Sequence, residues 1–223
     1  MKALRGGKCR AIGMFLNICF GTIALLPNMT NELPLNKEQI LDAAEQVLRR
    51  FGPDKASVVD VAKVLQVSHG TLYRHFASKA ALREAVTERW LHRCIVLPLE
   101  EIASQTGGSS TERLRLWLDT LIRSKRNYAA NDSEMFAMYT AVTLDAVEMI
   151  TAHVNRLIGQ IAQMIDEGIK SKEFKPGQSE SIAKALFIAT SRFHHPGHAY
   201  EWSAEKTDVE FDSVWNLLLS GIA

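Results

Sequence analysis

The residues with the most specific chemistry in this 223-residue chain fall between Ser57 and Lys79. In Val58-Val-Asp-Val-Ala-Lys-Val-Leu-Gln-Val-Ser-His-Gly-Thr-Leu-Tyr-Arg-His-Phe76, apolar residues recur at helical spacing on either side of a tight turn at Leu65-Gln66-Val67. Val61, Ala62, Leu65, Val67, Leu72 and Phe76 are placed to bury themselves and fix the crossing of two short helices. The other face of the second helix then presents His69, Gly70, Thr71, Tyr73 and Arg74, with His69 and Tyr73 four apart on one side. Roughly eight residues at 1.5 Å rise make a helix about 12 Å long, a fit for the major groove of duplex DNA. Its N-terminus offers free N–H groups and a positive dipole end to phosphate. No acidic side chain falls between Asp60 and Glu84, whereas Lys63, Arg74, Lys79 and Arg83 do. The chain is therefore locally basic where the motif sits, although its formal net charge is only +1.

Other chemistries find less support. No activated nucleophile, phosphate loop or carboxylate–histidine motif is present, so no catalytic residue and no cofactor is expected. His194 and His198 have the i, i+4 spacing of a helical metal-ligand pair. Pro196-Gly197 between them argues against a continuous helix, and no Cys or carboxylate cluster joins them. A structural or pocket-lining role is expected there, and no metal site. The three cysteines, Cys9, Cys19 and Cys94, give no disulfide framework and no zinc spacing, which fits a reducing compartment.

The elements that must position these residues read as helices throughout. Ile40, Ala44, Val47, Leu48 and Phe51 form one apolar face of a first helix. Asn36 caps it with Gln39 reaching back in capping-box fashion, and Gly52-Pro53 ends it. Ser57, Ser68 and Ser78 cap three more helices, the last running through Leu82, Val86 and Trp90 towards Cys94. Pro98 and the polar stretch 105–110 interrupt the pattern. Long amphipathic segments follow at about 111–130, 133–172 with a bend near 143–145, 178–194 and 208–222. No alternating run bounded by turn pairs predicts a strand. Apolar content of 47% suffices for a substantial core.

Residues 1–34 read as an N-terminal extension. Lys2, Arg5, Lys8 and Arg10 precede an apolar run from Ala11 to Leu26, the outline of an export signal. The run is short and mixed for a membrane span, and a small-x-small cleavage site is missing. Met29 opens a polar segment that looks like an ordinary start, so residues 1–28 are expected to lie upstream of the true initiator or to form a disordered tail.

The order Val-Ala-x-x-Leu-x-Val-Ser-x-Gly-Thr-Leu-Tyr-x-His-Phe-x-Ser-Lys-x-x-Leu resembles the DNA-binding signature of the TetR family of bacterial regulators, over about residues 37–90. The resemblance implies an all-α fold. An N-terminal three-helix helix-turn-helix DNA-binding domain (35–92) would be followed by a C-terminal helical ligand-binding and dimerisation domain (93–223). Tyr73, His75 and Lys79 match positions that contact the phosphate backbone, and Thr71 a position that touches phosphate or a base edge. His69, Gly70 and Arg74 occupy variable positions, where sequence preference resides. Arg74 suits guanine through paired donors, or a phosphate. Ser57 and Ser68, at the two helix starts, complete the candidate DNA-binding set. Tyr73 as a core aromatic and His75 as a helix cap remain open alternatives. Gln66 departs from the pattern, standing where the turn commonly has glycine.

The resemblance further implies a homodimer on a near-palindromic double-stranded operator, acting in the cytoplasm, with no membrane partner and with an unidentified small-molecule effector. Dimerisation would use the segments near 178–194 and 208–222, where Ile182, Leu186, Ala189, Phe211, Val214, Trp215, Leu218 and Leu219 give apolar stripes. Such stripes serve equally as monomer core. An effector pocket would be lined by Trp117, Leu121, Phe136, Met138, Tyr139, Val142 and Met149, each of which could also be plain core. The alternative function is a constitutive DNA-binding regulator without an effector.

Overall fold

In the computed structural model, residues 35–202 and 207–223 are described, and they contain helices and turns but no strand. The reading of residues 1–28 lies outside the described residues, as do positions 203–206.

Helix α1 (Lys37–Lys55) opens with the expected capping box. The Gln39 N–H donates to Asn36 Oδ1 at 2.9 Å, and the Asn36 N–H to Gln39 Oε1 at 2.9 Å. Gly52, at φ 75° and ψ 165°, breaks the helix before Pro53 starts its last turn. Ile40, Ala44, Val47 and Leu48 are buried as their spacing predicts, but Phe51 is 42% exposed. It sits at the helix end, where the Arg50 guanidinium lies over its ring at 5.1 Å.

Helices α2 (Val58–Val64) and α3 (His69–Tyr73) form the helix-turn-helix. Gln66 adopts φ 55°. The Val67 N–H bonds Ala62 O at 3.0 Å and the Gln66 N–H bonds Lys63 O at 3.2 Å. This is a Schellman closure with a glutamine at the left-handed position that glycine fills most cheaply. Helix α3 is shorter than expected, five residues rather than about eight. Beyond Tyr73 the chain tightens into bonds from Arg74 to Thr71 and from His75 and Phe76 to Leu72, which bring Phe76 into the core.

Helix α4 (Lys79–Leu91) does not stop near Cys94. It runs through a π-helical turn, His92–Val96, into α5 (Leu97–Ala103). Leu97 N–H reaches back five residues to His92 O. The widened turn carries Pro98, which lacks an N–H and would otherwise leave a gap in an α-helical ladder. Residue 92 thus falls inside a continuous helical run.

Helices α6 (Ser110–Asn131), α7 (Ser133–Asp145), α8 (Val147–Lys170), α9 (Ser179–Ala189) and α10 (Thr207–Ile222) build the rest. The expected bend in 133–172 is a full break at Ala146, where the chain turns by 108° between α7 and α8. Among the described residues no single helix is long and apolar enough to cross a membrane. The segment 178–194 is α9 followed by a 3-10 turn, Ser191–Phe193, and a second such turn covers Pro196–Glu201.

Helix α1 is held to α4 and to the start of α7 by charge. Glu45 is 4% exposed and accepts from Arg89 at 2.6 Å, Arg93 at 2.8 Å and Arg49 at 3.1 Å. Burial alone would raise its carboxyl pKa, and the hydrogen bonds and charges of Arg89 and Arg93 outweigh this and lower it. Arg49 also holds Asp132, between α6 and α7, with two bonds of 3.0 and 3.1 Å, and Trp90 Nε1 donates to the same carboxylate at 3.3 Å.

Candidate nucleic-acid interface

Each helix of the motif starts on a serine whose side chain accepts a backbone N–H, which fixes where its first exposed turn points. Ser57 Oγ accepts from the Asp60 N–H at 3.2 Å and donates to Asp60 Oδ2 at 2.5 Å. Ser68 Oγ accepts from the Thr71 N–H at 3.2 Å, and Ser78 Oγ from the Ala81 N–H at 3.0 Å. Leu72, at 1% exposure, anchors α3 from beneath.

Ser68, His69, Gly70, Tyr73, Arg74 and Lys79 are exposed, while Ser57, Thr71 and His75 are half-buried. Tyr73 is 46% exposed and meets the His69 ring edge-on, with centroids 6.4 Å apart, so the two share one face of α3. The core alternative for Tyr73 therefore fails. A polar chain runs along the other side of α3. Ser68 Oγ and Thr71 Oγ1 are 3.0 Å apart, and Arg74 Nη2 donates to Thr71 Oγ1 at 3.3 Å. That contact uses one of five guanidinium N–H groups and leaves the others free to pair with a base edge or phosphate.

The positive surface is narrower than the spacing of basic residues suggests. Lys63 pairs with Asp60 at 3.5 Å, and Arg83 turns inward to Met138 Sδ at 3.2 Å. Lys63 stays exposed beside the Asp60 carboxylate, and Arg74 and Lys79 are the other exposed cations on the motif.

The seven residues named for an effector pocket occupy the centre of the C-terminal helices. Trp117 and Leu121 on α6 and Met138 on α7 are fully buried, Phe136, Tyr139 and Val142 nearly so, and Met149 on α8 is half-buried. Trp117 Nε1 donates to Gln160 Oε1 at 2.9 Å. Phe136, Tyr139, Trp90 and Tyr128 form a run of ring contacts with centroids 5.2–6.1 Å apart. These side chains fill the core rather than line one shared cavity. A groove of about 840 Å³ lies elsewhere, between α1, α4, α5 and α8, and touches none of the seven.

A residue that the sequence reading passed over lies among them. Lys125 continues the α6 stripe of Leu114, Trp117, Leu118 and Leu121, and is 2% exposed. Its Nζ lies 4.0 Å from the centroid of the Tyr139 ring and has no hydrogen-bond partner among the described residues. Burial pushes its pKa down from 10.5 to about 7. The signal was a lysine at i+4 from a buried leucine on a strongly periodic helix. The His194–His198 pair separates: His194 is buried, with Nε2 3.3 Å from Thr190 Oγ1, while His198 bonds Glu201 at 3.0 Å nearer the surface. Among the described residues no three His, Cys, Asp or Glu side chains gather as a metal site would need.

Comparison with known proteins agrees with this geometry. The family model for bacterial regulatory proteins of the tetR family matches residues 40–86, and that for the tetracyclin repressor-like C-terminal domain matches residues 110–215. Together they cover more than half of the chain. The chain is 24% identical over 197 residues to the nucleoid occlusion factor SlmA of Vibrio atlanticus, covering 83% of this chain and 95% of that protein. It is 25% identical over 190 residues to the fatty acid metabolism regulator protein of Bacillus subtilis, covering 82% and 94%. Its fold matches the crystal structure of the transcriptional regulator FadR from Bacillus subtilis in complex with stearoyl-CoA, with a TM-score of 0.58 at 22% identity, covering 84% of this chain and all of that one. With the helix-turn-helix where one model falls and the helical body where the other does, the chain belongs to the TetR family of DNA-binding transcriptional regulators.

Proposed function

We propose that this chain is a homodimeric repressor, released from a near-palindromic operator when a small molecule enters its C-terminal core. Residues 35–92 bind DNA in this reading, and residues 93–223 sense and dimerise. Tyr73, His75 and Lys79 hold the phosphate backbone, with Thr71 and the capped helix starts at Ser57 and Ser68 beside them. His69, Gly70 and Arg74 face base edges.

The observation that carries the switch is the position of α7. One side of it, through Phe136, Met138, Tyr139 and Val142, sits in the core. Its N-terminal end holds α1 through Asp132 and Arg49, and Met138 accepts from Arg83 on α4. A core that expands around a ligand moves α7, and α7 is tied to both helices that carry the motif. A coupling of about 1–3 kcal/mol suffices for a useful switch. A structure of this fold described in complex with stearoyl-CoA supports the reading that such a chain can take a small-molecule effector.

Dimerisation draws support from what α9 and α10 leave uncovered. Leu186, Phe211 and Trp215 of the predicted stripes are buried within the protomer. Ile188, Val209 and Leu217 are 59–73% exposed and suit a partner's helices. Action on DNA supports a cytoplasmic location.

The close packing of the seven core residues favours the second reading, a constitutive regulator without an effector. Mapping of bound genomic fragments, with transcript levels in cells with and without the chain, tests the main reading. Bound fragments sharing an inverted repeat, beside genes that rise when the chain is removed, are expected. Fragments without a shared repeat, or genes that fall, contradict it.

A further inference from the structure

Lys125 is the most anomalous group in the described core. An ammonium with 2% exposure and no hydrogen-bond partner among the described residues is a donor in want of an acceptor, and no carboxylate of the described residues enters its surroundings. The ionisable groups that feel its charge come from three other elements. They are Tyr139 on α7, His153 on α8, and His194 and His195 in the turns after α9. His153 Nε2 likewise has no partner among the described residues, and His153 is 7% exposed. Burial first, and then the charge of Lys125, hold the His153 and His194 imidazoles neutral, the latter at about 3. The site thus presents the Lys125 cation and neutral imidazoles beside the Tyr139 ring, with Arg156 a second cation felt at His153.

We infer that Lys125 is the anchoring group of the effector site, and that the effector is a small monocarboxylic acid with an apolar or aromatic body. This rests on the reading of the core as the sensing site and names the ligand class for it. A carboxylate carries the one negative charge that Lys125 can compensate, and its second oxygen can accept from a neutral imidazole. A phosphate dianion or a polyanionic nucleotide would bring charge that this core cannot match. An uncharged ligand would leave the ammonium unpaired. The core, closely packed when empty, opens to take the apolar body of the acid, and the ion pair removes the orphaned donor, so occupied and empty states differ in how α6 and α7 pack.

The test is calorimetric titration of the full-length protein with benzoate, phenylacetate, octanoate and decanoate, each beside the primary amide of the same body. Wild type is compared with Lys125→Met and Lys125→Gln, all checked for cooperative melting. At least one acid should bind wild type at least about tenfold more tightly than its amide, and both variants should lose that preference. Amides that bind as well as acids, or variants that keep the preference, overturn the role of Lys125 while leaving the core as the sensing site. If no acid and no amide binds any of the three proteins, both the ligand class and the sensing core fall together.

Discussion

Replacing Lys125 by methionine should make the protein more stable. Methionine has similar length and no charge, and it fills the same space between Leu121 and the Tyr139 ring. The magnitude follows from linkage. The unfolded chain holds the lysine proton up to its ordinary value of 10.5, whereas the folded chain sheds it near 7. At about 1.36 kcal/mol per pH unit, this sets an upper limit of about 4–5 kcal/mol on the cost of burying the charge. The sign is that of a depressed base. Below pH 7 the penalty is present in full, it falls as pH rises from 7 towards 10.5, and above that it is gone. At pH 7 the variant should be more stable by about 4 kcal/mol at most, equivalent to a melting temperature roughly 8–15 °C higher for a domain of this size. By pH 9 the advantage should shrink by about 2 kcal/mol, because wild type has by then lost about half of its penalty. Urea unfolding of both proteins at pH 7 and pH 9 measures this directly. A variant less stable than wild type, or an advantage that does not change with pH, would refute the account of Lys125 as an unpaired buried base.

Three further substitutions probe the frame around the sites. Gln66→Gly should stabilise by about 0.5–1 kcal/mol. Relief of a left-handed side-chain conformation is worth about 1–2 kcal/mol, and the greater freedom of unfolded glycine offsets part of it. A thermal melt that falls would place the strain elsewhere. Gly168→Ala should destabilise by about 1–3 kcal/mol, because a methyl there would lie 2.1 Å from the Phe174 ring, itself buried at the end of α8. An unchanged melt would mean that Phe174 moves freely. Glu173→Gln should remove part of the acid sensitivity of the fold. The Glu173 carboxylate takes the Ser110 and Thr111 N–H groups and the Ser109 hydroxyl at the start of α6, which hold its pKa at about 2 against an ordinary 4.5. That stability is present above pH 4.5 and lost as pH falls towards 2. Identical acid unfolding curves for variant and wild type would remove Glu173 from the cap.

Much of the motif was legible because local chemistry dictates it. The Asn36–Gln39 capping box and the serine caps at 57, 68 and 78 need no tertiary information. The oddity of Gln66 was legible for the same reason, since the Schellman turn demands a left-handed residue wherever it occurs. What escaped depended on neighbours. The short α3 is cut off by Phe76 turning into the core, a tertiary contact that periodicity does not register. Pro98 reads as a break until a π turn absorbs it. Phe51 fits the helical period of α1 yet lies where the helix runs past its partners. Lys63 and Arg83 counted towards a basic surface in sequence, but Lys63, though exposed, shares its charge with Asp60, and a sulfur contact turns Arg83 inward. Lys125 hid because a lysine in an apolar stripe reads as snorkelling to solvent, and only the packing of α7 over α6 closes that exit.

The central claim is that α3 and the start of α4 hold duplex DNA. Fluorescence anisotropy on a duplex selected by the wild-type protein, titrated across salt concentrations, tests it most directly, with Tyr73→Ala and Lys79→Ala compared against wild type. The account predicts weaker binding for both variants, and a salt dependence whose slope for Lys79→Ala falls by about one for each phosphate contact removed. Unchanged affinity and an unchanged slope in both variants would contradict it.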